Sequence, residues 1–457
     1  MRLHHLLALG LLVAGAAVSC SSDAKSKQSA EAPPRMMAPT EKTTPPRKVQ
    51  MSQYDPLIIE HARAMISEGR ETFRNDTFGS EAFWGDTLNL HAAIDGSKGP
   101  GVSPKTALTV GLKVDSEAIP EELAQKIKKN EVDLDAPATT AALLKINAVV
   151  GVRGFFEESG RLKSVGITCA LCHSTVDDSF SPGIGRRLDG WPNRDLDVGK
   201  IVSLAPNLDP IAKLLGVDVE TVKKVLLSWG PGRYDAWLDK DGKGMRPDGK
   251  TSAVLLPPAF GLAGVNLHTY TGAASVTYWN AYVATTQMHG KGTFFDERLK
   301  DAKQYPVAAR AGLWNVRETP DRVTPRLAAL HFYQLSLPPP PAPEGSFDRA
   351  AFARGQKVFE GKAKCATCHV PPLFTEPGNN LHSPEEIGID AFHAQRSPTR
   401  MYRTTPLRGL WAHSKGGFYH DGRFPTLDAV VDHYDRHLNL DLNDQEKKDL
   451  VQFLLGL

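Results

Sequence analysis

The sequence predicts a mainly α-helical protein built from two related domains, the first enlarged by a long insertion. Three observations carry that prediction. The pentapeptide Cys-x-x-Cys-His occurs twice, as Cys169-Ala-Leu-Cys172-His173 and Cys365-Ala-Thr-Cys368-His369, 196 residues apart. A helical stretch carrying Gly-x-x-x-Phe precedes each copy, at Gly69 to Phe73 and at Gly355 to Phe359. A matching apolar segment closes each half: Leu330-His-Phe-Tyr-Gln-Leu335-Ser-Leu337 and Leu450-Val-Gln-Phe-Leu-Leu455-Gly-Leu457.

The segments follow in order. Residues 1–20 read as a lipoprotein-type signal peptide. Arg2 supplies the positive start, and Leu6 to Val18 is apolar but too short to span a bilayer as a mature helix. Ala17-Val18-Ser19-Cys20 resembles a lipoprotein box, which makes Cys20 the lipidated new N-terminus. Ordinary cleavage nearby is the alternative. The expected location is exported and periplasmic, lipid-anchored to the outer membrane, with membrane contact through that anchor only. Residues 21–50, rich in Ser, Pro, Lys and Ala, read as a flexible tether. Residues 51–337 form the first domain. Its opening helix covers Ile58 to Phe73, and with the insertion Cys169 comes 96 residues after Phe73. Residues 338–345 are a stiff Pro-rich linker. Residues 346–457 form the second domain. It opens with apolar spacing at Ala351, Phe352 and Phe359, and its last helix starts at Asn443-Asp-Gln-Glu446, where Glu446 can return a bond to the cap. Pro258-x-x-Gly261-Leu262 also echoes Pro406-x-x-Gly409-Leu410. Together the repeated pieces read as an internal duplication.

The pentapeptide gives the chemistry. It is the attachment signature of c-type haem: each thiol adds to a vinyl group, and the adjacent His binds iron. A zinc ribbon would want its cysteine pairs much closer, and a thioredoxin-like pair does not need the following His. The chain has 5 cysteines, and with Cys20 in the export signal none remains for a disulfide. Two covalent haems are therefore expected on Cys169, Cys172, Cys365 and Cys368. A helix before the motif, packed on a helix at the end, makes each domain cytochrome c-like. With 54 basic against 52 acidic residues and a net charge of +2, nucleic acid is not an expected partner.

His173 and His369 are the expected proximal iron ligands. Beyond the second motif, Tyr434 and His433 are the candidates for the other face. They are helix neighbours pointing about 100° apart, so only one can reach the iron. His437 and Met401 are further options. Beyond the first motif no His occurs until His268. Tyr278, Trp279 and Phe294 then form an aromatic group suited to an open, reactive site, which Met288 or His289 could instead close. Asp239-Lys-Asp241-Gly-Lys-Gly244 begins like a calcium loop, but Lys243 and Lys250 stand at two positions where oxygen ligands are wanted. Trp191, Trp229, Trp279, Trp314 and Trp411 are candidates for an electron relay.

Thr404-Thr-Pro-Leu-Arg408-Gly-Leu, Tyr419-His-Asp-Gly422 and Thr426-Leu-Asp-Ala-Val-Val-Asp-His-Tyr434 resemble the stretch after the second haem motif in the dihaem bacterial cytochrome c peroxidase and MauG superfamily. The resemblance implies a six-coordinate second haem with Tyr434 in the MauG-like place, exchanging electrons with the first haem. It also implies that a calcium ion can sit between the haem domains. The first domain lacks the distal His of the peroxidases, and Phe83-Trp84-Gly85-Asp86 is similar to part of their glutamate-bearing loop. Tyr278-Trp279 and Phe294 are similar to the pocket of the rubber-oxygenase branch. The implied function is an exported dihaem oxidoreductase whose first haem activates peroxide or dioxygen. Its partner is a redox protein or small electron donor. The alternatives are oxygenation of a small apolar substrate and non-enzymatic electron carriage.

Overall fold

Two helix crossings, each closed by a glycine, frame the protein in a computed structural model that describes residues 52–457. In the first half, Asp55–Asn75 crosses Leu327–Ser336. Gly69 sits at the contact, where an added Cβ would lie 2.0 Å from the Ala329 carbonyl oxygen and 2.6 Å from the Tyr333 Cβ. In the second half, Arg349–Glu360 crosses Asp444–Leu455. Gly355 sits at that contact, and its Cβ would lie 2.0 Å from the Asp449 carbonyl oxygen and 2.9 Å from the Phe453 Cβ. The phenylalanine one turn after each glycine, Phe73 or Phe359, is fully buried. Small residues at the crossing let the backbones approach, and the large rings beside them fill the core. Asp348 caps its helix through the Ala351 N–H, and Asn443 with Glu446 forms the expected capping box.

A second pair of features ties each closing helix to its own half. The Gly261 N–H donates to the Leu337 carbonyl at 2.8 Å, and the Gly409 N–H donates to the Leu457 carbonyl at 3.0 Å. Both glycines have left-handed backbones, with φ of 66° and 71°. An added Cβ would meet the Pro339 ring at 3.5 Å at Gly261 and the Pro340 ring at 3.0 Å at Gly409. The Pro-rich linker is therefore packed against both halves.

The described residues contain seventeen α-helices and five two-stranded sheets, so the molecule is mainly helical as expected. The strands lie in the first half and grip the first motif. The antiparallel pair Val152–Phe156 and Leu162–Ile167 ends two residues before Cys169. Ser174–Val176 starts directly after His173 and pairs with Arg187–Asp189. An apolar core around Trp84, Leu144, Leu162, Val222, Leu226 and Trp229 packs the insertion against the chain that follows the first motif. That core explains how so long an insertion stays ordered, since it buries enough apolar surface to offset its chain entropy. Residues 56–457 form one compact unit. No described helix is long and apolar enough to cross a membrane. The signal peptide, the tether and Cys20 lie outside the described residues.

Candidate functional site

Both Cys-x-x-Cys-His motifs open onto one cavity of about 1200 Å³, lined by Cys169, Cys172, His173, Cys365, Cys368 and His369. Ordinary small-molecule pockets hold roughly 300–1,000 Å³. The donor set fits two covalently held porphyrins. All four cysteines are free thiols. The His369 Nδ1 lies 3.1 Å from the Phe374 carbonyl, so Nδ1–H can donate there and leave Nε2 for a metal. The His173 Nδ1 is buried without a hydrogen-bond partner, and the Pro257 backbone is the polar group acting on it. Burial pushes both imidazoles down to about 4, which keeps them neutral, the form an iron ligand needs.

In the second half the structure separates the candidates. Tyr434 lines the cavity, beside Tyr419. Burial raises its phenol above the ordinary value. The His433 Nε2 donates to the Ile387 carbonyl at 2.9 Å, and the His437 Nε2 donates to the Glu386 carbonyl at 3.1 Å. Neither of these histidines lines the cavity, and Met401 does not line it either.

In the first half, two short π-helical turns, Ala82–Thr87 and Val283–Gln287, meet beside Cys169. Such turns often mark functional positions. The Trp84 indole N–H donates to the Met288 carbonyl at 2.9 Å, and the Phe83 ring stacks on His289 at 3.4 Å. All four residues line the cavity. Phe83-Trp84 thus belongs to the site although it precedes the motif by more than eighty residues. Trp279 also lines the cavity, and its buried indole N–H has no partner. Tyr278 and Phe294 do not line it. They stand behind Trp279: Tyr278 donates to Asp296 at 2.6 Å, and Phe294 packs on Tyr282. Residues 278 and 279 are helix neighbours, so only one of the two rings can face the space.

The calcium-like loop is otherwise engaged. Asp241 holds the Arg396 guanidinium through two bonds of 2.8 and 2.9 Å, and Asp239 accepts from the Tyr282 hydroxyl at 2.8 Å. Lys240 is fully buried, its Nζ 3.7 Å from the Tyr282 ring centre. The loop braces the aromatic group behind Trp279. Among the proposed relay residues, Trp191 and Trp411 pack edge to face at 5.0 Å and join the two halves.

Sequence reasoning passed over five buried histidines of the cavity wall: His268, His382, His393, His413 and His420. His393 and His420 stack at 4.9 Å. No spacing rule marks them, because residues far apart in the chain bring them together. The only signal was the position of His420 inside a stretch already singled out.

No family model matches the chain. Among curated proteins, the methylamine utilization protein MauG of Methylorubrum extorquens is 29% identical over 287 aligned positions, covering 56% of this chain and 76% of MauG. Two solved structures each match 47% of the chain. One is hydrazine synthase of Kuenenia stuttgartiensis, at 20% identity, TM-score 0.26 and 75% of that chain. The other is a MauG-like protein associated with microbial copper homeostasis, at 19% identity, TM-score 0.31 and 76% of that chain.

Proposed function

Because this chain belongs to the dihaem bacterial cytochrome c peroxidase and MauG superfamily, we propose that peroxide or dioxygen would be activated at its first haem site, held by Cys169, Cys172 and His173, while electrons would pass through the second, held by Cys365, Cys368 and His369 with Tyr434 as the further ligand. The coarse activity is that of a dihaem c-type oxidoreductase. The observation that carries the finer reading is the shared cavity: both motifs line it, and its wall includes Tyr434 and the unpartnered Trp279 indole. Haem, when bound, supplies an iron that exchanges electrons and binds oxygen ligands.

The chain's own residues do the rest. His173 and His369 present neutral imidazoles. The apolar wall formed by Trp84, Val283 and Ala284 near the first motif excludes water. Trp279 brings an unpartnered N–H to the cavity wall, where it would donate to an acceptor oxygen of the oxidant or substrate. Tyr434 closes the second site. Trp191 and Trp411 offer a ring contact between halves. The same apolar wall favours a small apolar molecule as the substrate if dioxygen is the oxidant. A redox protein or small donor would supply the electrons.

The matched glycines at 69 and 355, and at 261 and 409, support an origin of the two halves by duplication. Export with a lipid on Cys20 completes the proposal. Fatty-acid labelling that survives Cys20→Ala would remove that part of it.

Electron paramagnetic resonance of the oxidised protein tests the core reading. One high-spin and one low-spin haem are expected, and added peroxide should consume the high-spin signal. High-spin iron inert to peroxide assigns the oxidant to dioxygen. Two low-spin signals, unchanged on partial reduction, would replace the enzyme with an electron carrier.

A further inference from the structure

Buried arginines elsewhere in this protein sit on carboxylates. Arg187 pairs with Asp115 at 3.0 Å, and Arg396 pairs with both Asp235 and Asp241 at 3.0 and 2.8 Å. Arg194 and Arg403 differ. Both line the central cavity, and neither has a carboxylate partner among the described residues. Each makes one bond to a carbonyl, from Arg194 Nη1 to Lys415 at 3.1 Å and from Arg403 Nη1 to Leu267 at 2.6 Å. In both, the buried Nε has no partner. Arginine stays charged under all ordinary conditions. A buried charge left without a partner is strongly destabilising. Two such charges facing one cavity call for an anion.

Their placement says which anion. Tyr270 lies between them: both guanidiniums act on its phenol, and its backbone carbonyl accepts the Arg403 N–H at 2.9 Å. Arg194 follows Asn193, whose N–H is bonded to the Cys172 carbonyl at 2.9 Å, so it is tied to the first motif. Arg403 is two residues before Thr405, whose backbone acts on the His369 ring, so it is tied to the second. Burial pushes the Arg403 guanidinium down to about 10 and lowers Arg194 as well, the cost that a resident anion would remove.

We infer that Arg194 and Arg403, on either side of Tyr270, seat the propionate carboxylates of the two porphyrins, one arginine serving each haem. This rests on the dihaem reading. Each guanidinium presents a planar set of N–H donors that matches a carboxylate. A cation held beside each propionate raises the reduction potential of its haem, because it favours the less positive ferrous state.

The test uses the full-length, haem-loaded protein with Arg194→Gln, Arg403→Gln and Arg403→Lys. Covalent haem per chain is measured first. A wild-type protein without covalent haem would refute the dihaem reading itself. With two haems present, redox titration separates the remaining outcomes. Each Gln variant should lower one haem's potential by at least a tenfold change in its ferric-to-ferrous equilibrium, 59 mV for one electron. The lowered potential should fall further as pH rises near neutrality, because the released propionate then titrates. Arg403→Lys should restore most of the shift. Two haems with unchanged potentials and unchanged pH slopes in both Gln variants would overturn the inference. So would a saturable response of the wild-type potentials to acetate, which would give the seat to a free carboxylate. The lysine variant and the acetate titration remain informative if a Gln variant fails to fold.

Discussion

Tyr434 and His433 are adjacent, yet they have different surroundings. One phenol faces the cavity, while the neighbouring imidazole is bonded to the Ile387 carbonyl. Tyr434→Phe should therefore change the absorption and magnetic signature of the second haem while covalent haem content stays constant. His433→Ala should leave that signature unaltered and cost about 1 kcal/mol of stability through the lost hydrogen bond. The reverse pattern would exchange their roles. The sequence put this pair ahead of His437 and Met401, but helical phase says only that the two diverge, and the pointer to Tyr434 came from the family resemblance. The same limit applied to Tyr278 and Trp279, and there the cavity wall took the tryptophan. The stacking of His393 on His420 left no trace in the sequence, since no local pattern encodes a contact between residues that far apart.

At the scale of elements, the two helix crossings are the most legible part of the fold. Gly-x-x-x-Phe before each motif marked both, because close backbone approach demands glycine and the neighbouring ring must fill the core. Gly69→Ala and Gly355→Ala each drive a Cβ to 2.0 Å from a backbone carbonyl oxygen. Neither neighbour is a flexible side chain, so the helices must separate. Each variant should lose about 1–3 kcal/mol, read as a lower thermal midpoint. Equal midpoints for the crossing variants and the wild type would contradict the packing described. The strand pairs flanking the first motif were not foreseen. Their runs are short, two to six residues, and alternate too briefly to stand out from loops.

Across the whole molecule, buried neutral histidines set the response to acid. Burial pushes His268 and His420 down to about 4 and His413 to about 3. The unfolded chain binds these protons near pH ~6.5, so stability should be unaffected above that value and fall as pH drops toward 4. Each unit of depression is worth about 1.4 kcal/mol at most. His382 has the opposite sign. Burial alone would lower it, but Glu376 and Glu386 outweigh burial and raise it, so its contribution is present in acid and lost as pH rises through its folded value. The lowered histidines, His393 among them, outnumber it and predict net loss in acid, measurable as denaturant midpoints from pH 8 to 4.5, and a flat profile would reject that loss. The shared cavity also imposes an order on biogenesis. Its walls come from both halves and from the linker prolines Pro338 and Pro339. Once these close, burial holds the thiols of Cys169, Cys172 and Cys365 at about 12, almost wholly protonated and slow to react. Ligation of both cofactors must then come before collapse, and a chain that collapses first is a dead end for the assembly line rather than an intermediate on it.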